Sequence, residues 1–374
     1  MKRKVARGFA VGIASGIATA ALFELARSRG GKGRLIDWDA IRDLAAERLG
    51  REGATLTPPR RRKLEAEYAR LAAEMQEPLF DVVGGPRDLS LPRFGAIGRI
   101  EWVDVNLETL RRVLEPILES SELPDSRLVD LGRAGVDRYT AVLLAFLAQR
   151  VLGQFDPQLM GHEPVEMREH ALYLVEPNVE KWEREAKLPG DDLRRWLILH
   201  ESTHAWQFAA HPWLADYMNE ALRELLDLAA GGSSPAARVM ALTVGLPAQW
   251  RLVRRMQATM SLIEGYSNLV MNLAGRKVLP AFEQLEEAYR RRSGERSALE
   301  VLFWRVTGLE LKLQQYERGE AFSRAIYNRH GMQVLNLAWE SPEALPQPGE
   351  LERPEAWVAR VTGSARPVRR PATA

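Results

Sequence analysis

The chain has 374 residues, a formal net charge of +2 and no cysteine. The balanced charge argues against a nucleic-acid-binding protein, and the absence of cysteine excludes disulfides, thiol nucleophiles and cysteine-ligated metals. Any metal site must therefore use His, Asp, Glu or backbone oxygen, and the chain has only six histidines.

The first 27 residues combine a basic start with an apolar stretch. Four basic residues precede an uncharged run of sixteen residues from Gly8 to Phe23, slightly short of the roughly 17–25 residues that span a bilayer. Three interpretations stay open: a membrane-associated helix, a cleaved secretory signal, and a soluble helix packed on the protein's own core. We expect a cytoplasmic or membrane-associated protein rather than a secreted one.

The remainder of the chain is organised around one long globular region. Residues 28–35 are rich in Gly and Arg and are predicted to be a linker, and residues 366–374 form a polar tail. Between them, no internal linker is long enough to separate two folding units. The sequence therefore predicts a single domain over residues 36–365.

Helices dominate the predicted secondary structure of this domain. Apolar periodicity and capping residues predict helices over residues 38–49, 60–76, 136–152, 247–274 and 297–315, one opened by Asp104 or Asn106, and one capped by Asp191 or Asp192. Gly153 and Gly275 each follow the predicted end of a helix. Residues 86–98 are predicted to be a loop, and residues 171–175 are the best strand candidate because Pro177 follows them.

The central feature of the sequence is the pentapeptide His-Glu-Ser-Thr-His at residues 200–204. Two histidines four positions apart on a helix, here His200 and His204, project from one face and can reach one zinc ion. The intervening Glu201 would then lie beside the metal and could accept a proton from water. The alternative is a pair of core histidines satisfied by hydrogen bonds.

A catalytic zinc site needs a third protein ligand and an open position for water. Glu264 lies on a methionine-rich stripe of a long predicted helix, where a carboxylate needs a partner. Asn268, one turn further on, could support a ligating histidine. The rival is Glu220 in the segment that begins at Asn219, whose alternative is a solvated helix face. The residue pattern favours Glu264.

Several motifs together resemble a known family. They are Asp37-Trp38, Leu152-Gly-Gln-Phe-Asp156, Trp196-Leu-Ile-Leu-His-Glu-Ser-Thr-His-Ala-Trp-Gln-Phe208, Ile263-Glu264-Gly265 and Gln315-Tyr316-Glu-Arg-Gly319. This pattern, which extends over nearly all of residues 36–365, resembles the zincin-like metallopeptidase type 2 family. Its members are often labelled hydrolases, and some are labelled as associated with deazaflavin coenzyme biosynthesis. No residue pattern here indicates a site for a flavin-like ring.

The resemblance implies a fold, a metal and a set of site residues. The implied fold is α+β and mostly helical, a zincin-like domain with a small sheet beside the active-site helix. The implied cofactor is zinc, held by His200, His204 and Glu264, with Glu201 as general base. Where the family is expected to have Glu-Gly-His-Ala-Asp, this chain has Glu-Gly-Tyr-Ser-Asn from residue 264. A neutral Asn268 would leave its histidine partner less basic than a carboxylate would.

These features predict metal-assisted hydrolysis, most naturally of a peptide bond in a peptide or protein substrate. Zinc would activate water, and Glu201 would accept its proton and return it to the leaving amine. Tyr266 or His211 could stabilise the oxyanion; the alternatives are a buried tyrosine hydroxyl and a surface histidine. The strand at 171–175 could pair with an extended substrate or lie inside the sheet.

A second hypothesis is a zinc-stabilised binding or scaffold protein with a vestigial site. A fourth protein ligand, for example His211, would favour this structural role, whereas an open fourth position favours an enzyme. A third hypothesis is a nucleic-acid or acidic-lipid binder that uses the basic terminus and the run at residues 60–63. It is weaker, because short basic runs are usually solvated helix ends.

Overall fold

The computed structural model describes residues 36–53, 55–85, 87–119, 127–157, 170–230, 247–294 and 310–364. The basic and apolar N-terminal segment, the linker after it, most of the helix predicted over 297–315 and the polar tail lie outside these ranges, so their interpretations stay predictions. Within the ranges, no helix combines the length and the apolar character that crossing a bilayer requires.

The described residues form helices and one small sheet, which confirms the expected mostly helical α+β fold. The helices are α1 (Trp38–Leu49), α2 (Pro58–Val83), α3 (Arg99–Glu119), α4 (Arg127–Ala148), α5 (Glu176–Ala186), α6 (Gly190–Ala210), α7 (Trp213–Ala230), α8 (Pro247–Val278), α9 (Phe282–Gly294), α10 (Glu310–Asn336) and α11 (Pro354–Ser364). The strands are β1 (Arg93–Ile97), β2 (Gly153–Phe155) and β3 (His170–Val175). Short 3-10 turns cover Gly50–Gly53, Leu337–Trp339 and Pro342–Ala344.

The sheet has the order β1-β3-β2, so the strand predicted at 171–175 is its central strand. Strand β1 runs parallel to β3, and β2 runs antiparallel to it. Both sides of β3 are therefore occupied by neighbouring strands, and it cannot add an extended substrate. Of the two interpretations of this strand, the internal one is correct.

Alternate side chains of β3 enter two apolar clusters, as the two-residue period of a strand requires. Leu172 and Leu174 join the larger cluster, which includes apolar residues of α2, α6 and α8. Tyr173 and Val175 join the smaller one, which α1, α3 and α4 complete. The sheet thus lies between the two clusters, with α6 in the core of the larger one.

Two predicted boundaries near the sheet are wrong. Residues 86–98 are not all loop, because residues 93–97 form β1. Gly and Ala make this segment a weak strand by itself, and its hydrogen bonds come from parallel pairing with β3. The helix predicted over 136–152 ends at Ala148, and Gly153 begins β2 instead of following a helix. Here too the partner strand β3 determines the structure.

Other helix ends also differ from the prediction. Helix α2 continues through Pro78 to Val83, and α8 continues past Gly275 to Val278. A Cβ at Gly275 would lie 3.1 Å from the ring of Phe282. This glycine therefore allows a close contact with α9 and does not end the helix.

Helices α8 and α10 cross with their backbones in contact. A Cβ built on Gly265 would lie 2.0 Å from the carbonyl carbon of Gly319, and one on Gly319 would lie 1.7 Å from the carbonyl oxygen of Ser261. Only glycine fits at this distance, because no backbone atom can move away without separating the helices. The crossing holds α8 in place next to Glu264.

Candidate metal centre

Two helices bring together the three residues that the sequence singles out as metal ligands. Helix α6 carries His200 and His204, whose Nε2 atoms lie 3.2 Å apart. Helix α8 carries Glu264, whose Oε2 lies 3.7 Å from Nε2 of His200 and 3.5 Å from Nε2 of His204. Ligand atoms around a tetrahedral zinc with bonds of about 2.0–2.1 Å are about 3.3 Å apart. The spacing of these atoms therefore fits one such ion.

The electrostatics of the cluster favour a positive charge at its centre. Burial by itself would lower the pKa of His204, but the carboxylate of Glu264 raises it to about 9. Burial would raise the pKa of Glu264, yet the two imidazoles hold it well below its usual range. A proton or a metal cation can supply the charge, and two nitrogens with one carboxylate oxygen are a donor set that Zn²⁺ accepts.

Glu201 lies beside the cluster, between α6 and β2. Burial raises the pKa of its carboxyl group, while His200 and His204 act in the opposite direction. The backbone N–H of Phe155 also favours the charged carboxylate. A Cβ at Gly153 would lie only 2.6 Å from Oε1 of Glu201, so the glycine of β2 makes the room that this side chain occupies.

The residue that contacts Nδ1 of His204 is not Asn268, the supporting residue that the sequence suggests. This Nδ1 atom lies 3.1 Å from Oε1 of Gln207 and 3.1 Å from Oγ of Ser267. Asn268 lines the cleft instead. Sequence reasoning missed Gln207, although its position three residues after His204 on the same helix was an available signal.

Tyr266 does not reach the cluster. Its side chain is fully buried, its hydroxyl donates to Oδ1 of Asn336 at 2.8 Å, and its ring stacks on Trp206. Residues two positions apart on an α-helix are separated by about 200° around its axis. Tyr266 and Glu264 therefore point to nearly opposite sides of α8. Its position does not suit an oxyanion-stabilising role, and the buried-hydroxyl alternative describes it.

His211 and Glu220 also lie away from the cluster. The Nδ1 atom of His211 bonds the carbonyl oxygen of Gln207 at 2.9 Å, and its ring packs edge-on against Trp206. Glu220 is exposed on α7. Within the described ranges, the group of His, Asp and Glu residues able to share one ion consists of His200, His204 and Glu264.

The cluster opens into a cleft of about 1390 Å³. His200, Glu201 and Glu264 line it together with aromatic residues that include Trp196 and Tyr289. A space of this size exceeds the 300–1,000 Å³ typical of small-molecule sites.

The helical α+β fold and the His-Glu-x-x-His helix, with a carboxylate from a second helix, define a zincin-like protein. The chain belongs to the zincin-like metallopeptidase family, whose sequence model matches residues 36–358. It is similar to the crystal structure of a "putative hydrolase with a novel fold" from Chloroflexus aurantiacus, with 34% sequence identity and a TM-score of 0.66. That match covers 88% of this chain and 100% of the other. A search of curated proteins finds no match.

Proposed function

We propose that the chain is a zinc-dependent hydrolase, most naturally a metallopeptidase that cleaves a peptide or protein substrate. The observation that carries the proposal is the convergence of three ligand atoms, from His200, His204 and Glu264, beside a buried glutamate in a cleft. Membership of the zincin-like metallopeptidase family supports the same reaction class.

In this proposal the two imidazoles hold the ion through Nε2, and Glu264 holds it through a carboxylate oxygen. Zinc, when bound, supplies a Lewis acid that lowers the pKa of water and polarises a carbonyl group. The buried side chains around the ligands exclude competing water from the rear of the site, since His204 is only 8% exposed.

Glu201 is proposed as the general base and then the general acid. Its carboxylate accepts a proton from the attacking water, whose oxygen bonds to the scissile carbonyl carbon. The same proton then passes to the leaving amine as the carbon–nitrogen bond breaks.

Strand β2 is the outer strand next to Glu201, and an extended substrate could join it at Gly153, because the backbone N–H of Phe155 already bonds the Glu201 carboxylate. It is an outer strand in the order β1-β3-β2, and Gly153 lines the cleft. Main-chain pairing at a sheet edge binds peptides with little dependence on their sequence. Side-chain preference would then come from other parts of the cleft.

The scaffold hypothesis with a vestigial site gains no support from His211. A closed structural site would need a fourth protein ligand. The ring of His211, the candidate for that role, is hydrogen-bonded to the backbone of Gln207. The hydrolase therefore remains the function that the arrangement favours.

The test combines metal analysis of the purified protein with a peptide-library cleavage assay. We expect one zinc per chain and cleavage by the wild type. Glu201→Gln should keep the zinc and lose about 10²–10⁴-fold in rate, because proton transfer contributes that much. Glu220→Gln is the matched control, since Glu220 is exposed on α7, away from the cluster and from the described lining of the cleft. A fully active Glu201→Gln variant would remove the proposed base.

A further inference from the structure

We infer that Gln207 is a positioning residue that holds His204 in the tautomer whose Nε2 is free to bind a metal ion. The inference rests on the proposed function only in taking Nε2 as the ligating atom. Gln207 is completely buried on α6, one turn beyond His204. It is not among the described residues that line the cleft, so it would act on the site through the histidine and not by touching a substrate.

The orientation of the Gln207 amide is determined by a backbone carbonyl on the neighbouring helix. Nε2 of Gln207 lies 3.0 Å from the carbonyl oxygen of Ile263 on α8. A carbonyl oxygen can only accept a hydrogen bond, so the amide must present its NH₂ group to it. The opposite amide orientation would place two acceptor oxygens in contact. Oε1 of Gln207 is therefore the atom that faces His204.

This orientation in turn determines which nitrogen of His204 carries the hydrogen. Oε1 of Gln207 lies 3.1 Å from Nδ1 of the ring and can only accept. Nδ1 must therefore donate, and in a neutral imidazole the other nitrogen then carries the lone pair. That nitrogen is Nε2, which lies 3.5 Å from Oε2 of Glu264. The chain of bonds leaves the lone pair inside the cluster.

Ser267 completes this buried network without competing for the histidine. Its Oγ lies 3.0 Å from the carbonyl oxygen of Ile263 and 3.3 Å from Oε1 of Gln207. Both of these oxygens accept hydrogen bonds, so the Ser267 hydroxyl can donate to one of them. It therefore does not need to donate to Nδ1 of His204, which carries its own hydrogen. The serine, like Gln207, is fully buried.

The same network connects the two helices that supply the ligands. Gln207 belongs to the histidine helix α6, and the carbonyl that it contacts belongs to Ile263, the residue before Glu264. Within the described residues, the recorded polar contacts of the His200 ring are those to His204 and Glu264. His204 is thus the imidazole whose orientation is determined by a hydrogen bond at Nδ1, on the side away from the ligand atoms.

The experiment measures zinc affinity of the full chain by competition with a chromophoric chelator. Gln207→Met preserves the approximate size of the side chain and removes the amide acceptor, which leaves the Ser267 hydroxyl as the remaining acceptor near Nδ1; it should weaken zinc binding about 10-fold. Gln207→Glu is isosteric, and when its buried carboxyl is protonated the O–H can donate to the Ile263 carbonyl oxygen while the other oxygen accepts from Nδ1; it should bind zinc about as tightly as the wild type. Thr203→Val is the matched control, because it removes another buried polar group from α6 whose hydroxyl bonds the backbone at Leu199.

A second measurement separates positioning from a general structural effect. In the zinc-loaded protein, the Nδ1–H proton of His204 should give a downfield, slowly exchanging NMR signal in the wild type and in Gln207→Glu. That signal should move upfield and exchange faster in Gln207→Met. Unchanged zinc affinity in Gln207→Met, or a tenfold loss in Gln207→Glu, would overturn the inference. If the wild type binds zinc but cleaves no peptide, the proposed function fails while this inference stands.

Discussion

Helix α6 contributes to two buried polar clusters that differ in how the negative charge of their carboxylates is balanced. Near its start, the guanidinium of Arg194 contacts the carboxylates of Glu176 and Glu183, and Tyr68 donates its hydroxyl hydrogen to Glu176. Two turns later, His200 and His204 meet Glu264. We refer to these as the arginine cluster and the histidine cluster.

The difference between them lies in where the positive charge comes from. Burial raises the pKa of Glu176, and Arg194 counters this with a permanent charge from the chain itself. The histidine cluster has no permanent cation among its three residues, and its ligand atoms converge on one point. The arginine cluster contains its own cation, whereas the histidine cluster places three ligand atoms where a cation could be held.

The largest expected effect comes from breaking the arginine cluster. Arg194→Met leaves the fully buried Glu176 without its cation, which should cost about 3–5 kcal/mol of unfolding free energy. Denaturant unfolding measures this loss, and zinc bound per folded chain should not change. Arg42→Met is the control, because Arg42 pairs with Asp104 and both side chains are exposed; it should cost about 1 kcal/mol or less.

The next effect comes from removing the negative charge of the histidine cluster. A zinc concentration one hundred times Kd should stabilise the wild type by about 2.7 kcal/mol. Glu264→Gln keeps the side-chain size but should lose most of this gain at the same zinc concentration, because it removes the anionic ligand. Thermal unfolding with and without zinc measures the difference.

Glu220→Gln is the control for that experiment and tests the rival carboxylate directly. Glu220 is exposed on α7, so its replacement should leave the zinc-induced stabilisation intact. If zinc stabilisation were lost in Glu220→Gln and kept in Glu264→Gln, the third ligand would be Glu220 on α7, and its assignment to Glu264 on α8 would be wrong.

The smallest expected effect is a lower cleavage rate when a side chain is added to β2 beside Glu201, at the edge of the histidine cluster. Gly153→Ala would place a Cβ 2.6 Å from Oε1 of Glu201, so the carboxylate must move. We expect about a tenfold lower cleavage rate, equivalent to about 1.4 kcal/mol, with zinc content unchanged. Gly135→Ala on α4 is the control, because a Cβ there meets nothing within 4 Å. Equal rates for the two variants would show that β2 does not position Glu201.

Much of the helical framework could be predicted from local sequence. Asp37 caps α1 through a bond to the N–H of Ala40, and Gly50 follows its last residue, as expected. The predictions failed where a distant partner decides the structure. Strand β1 and the turn from α4 into β2 both depend on β3, which is many residues away along the chain.

The candidate site divides in the same way. The His-Glu-x-x-His helix is a local pattern, and the methionine stripe correctly favoured Glu264 over Glu220 as the carboxylate nearest the histidines. The sequence left two roles open for Tyr266, because which side of α8 faces the cleft depends on its contacts with α6 and α10. Gln207 and Ser267 are 60 residues apart, and no short motif joins them.

The sequence by itself determined the helix that presents two imidazoles and a glutamate, because one turn of an α-helix places residues four apart on one face. Only the tertiary structure decided which carboxylate approaches those rings, which amide orients His204 and which strand borders Glu201. Such contacts form between distant parts of the chain, and they depend on how helices and strands pack: the backbone contact between Gly265 and Gly319 exists only because two whole helices cross there.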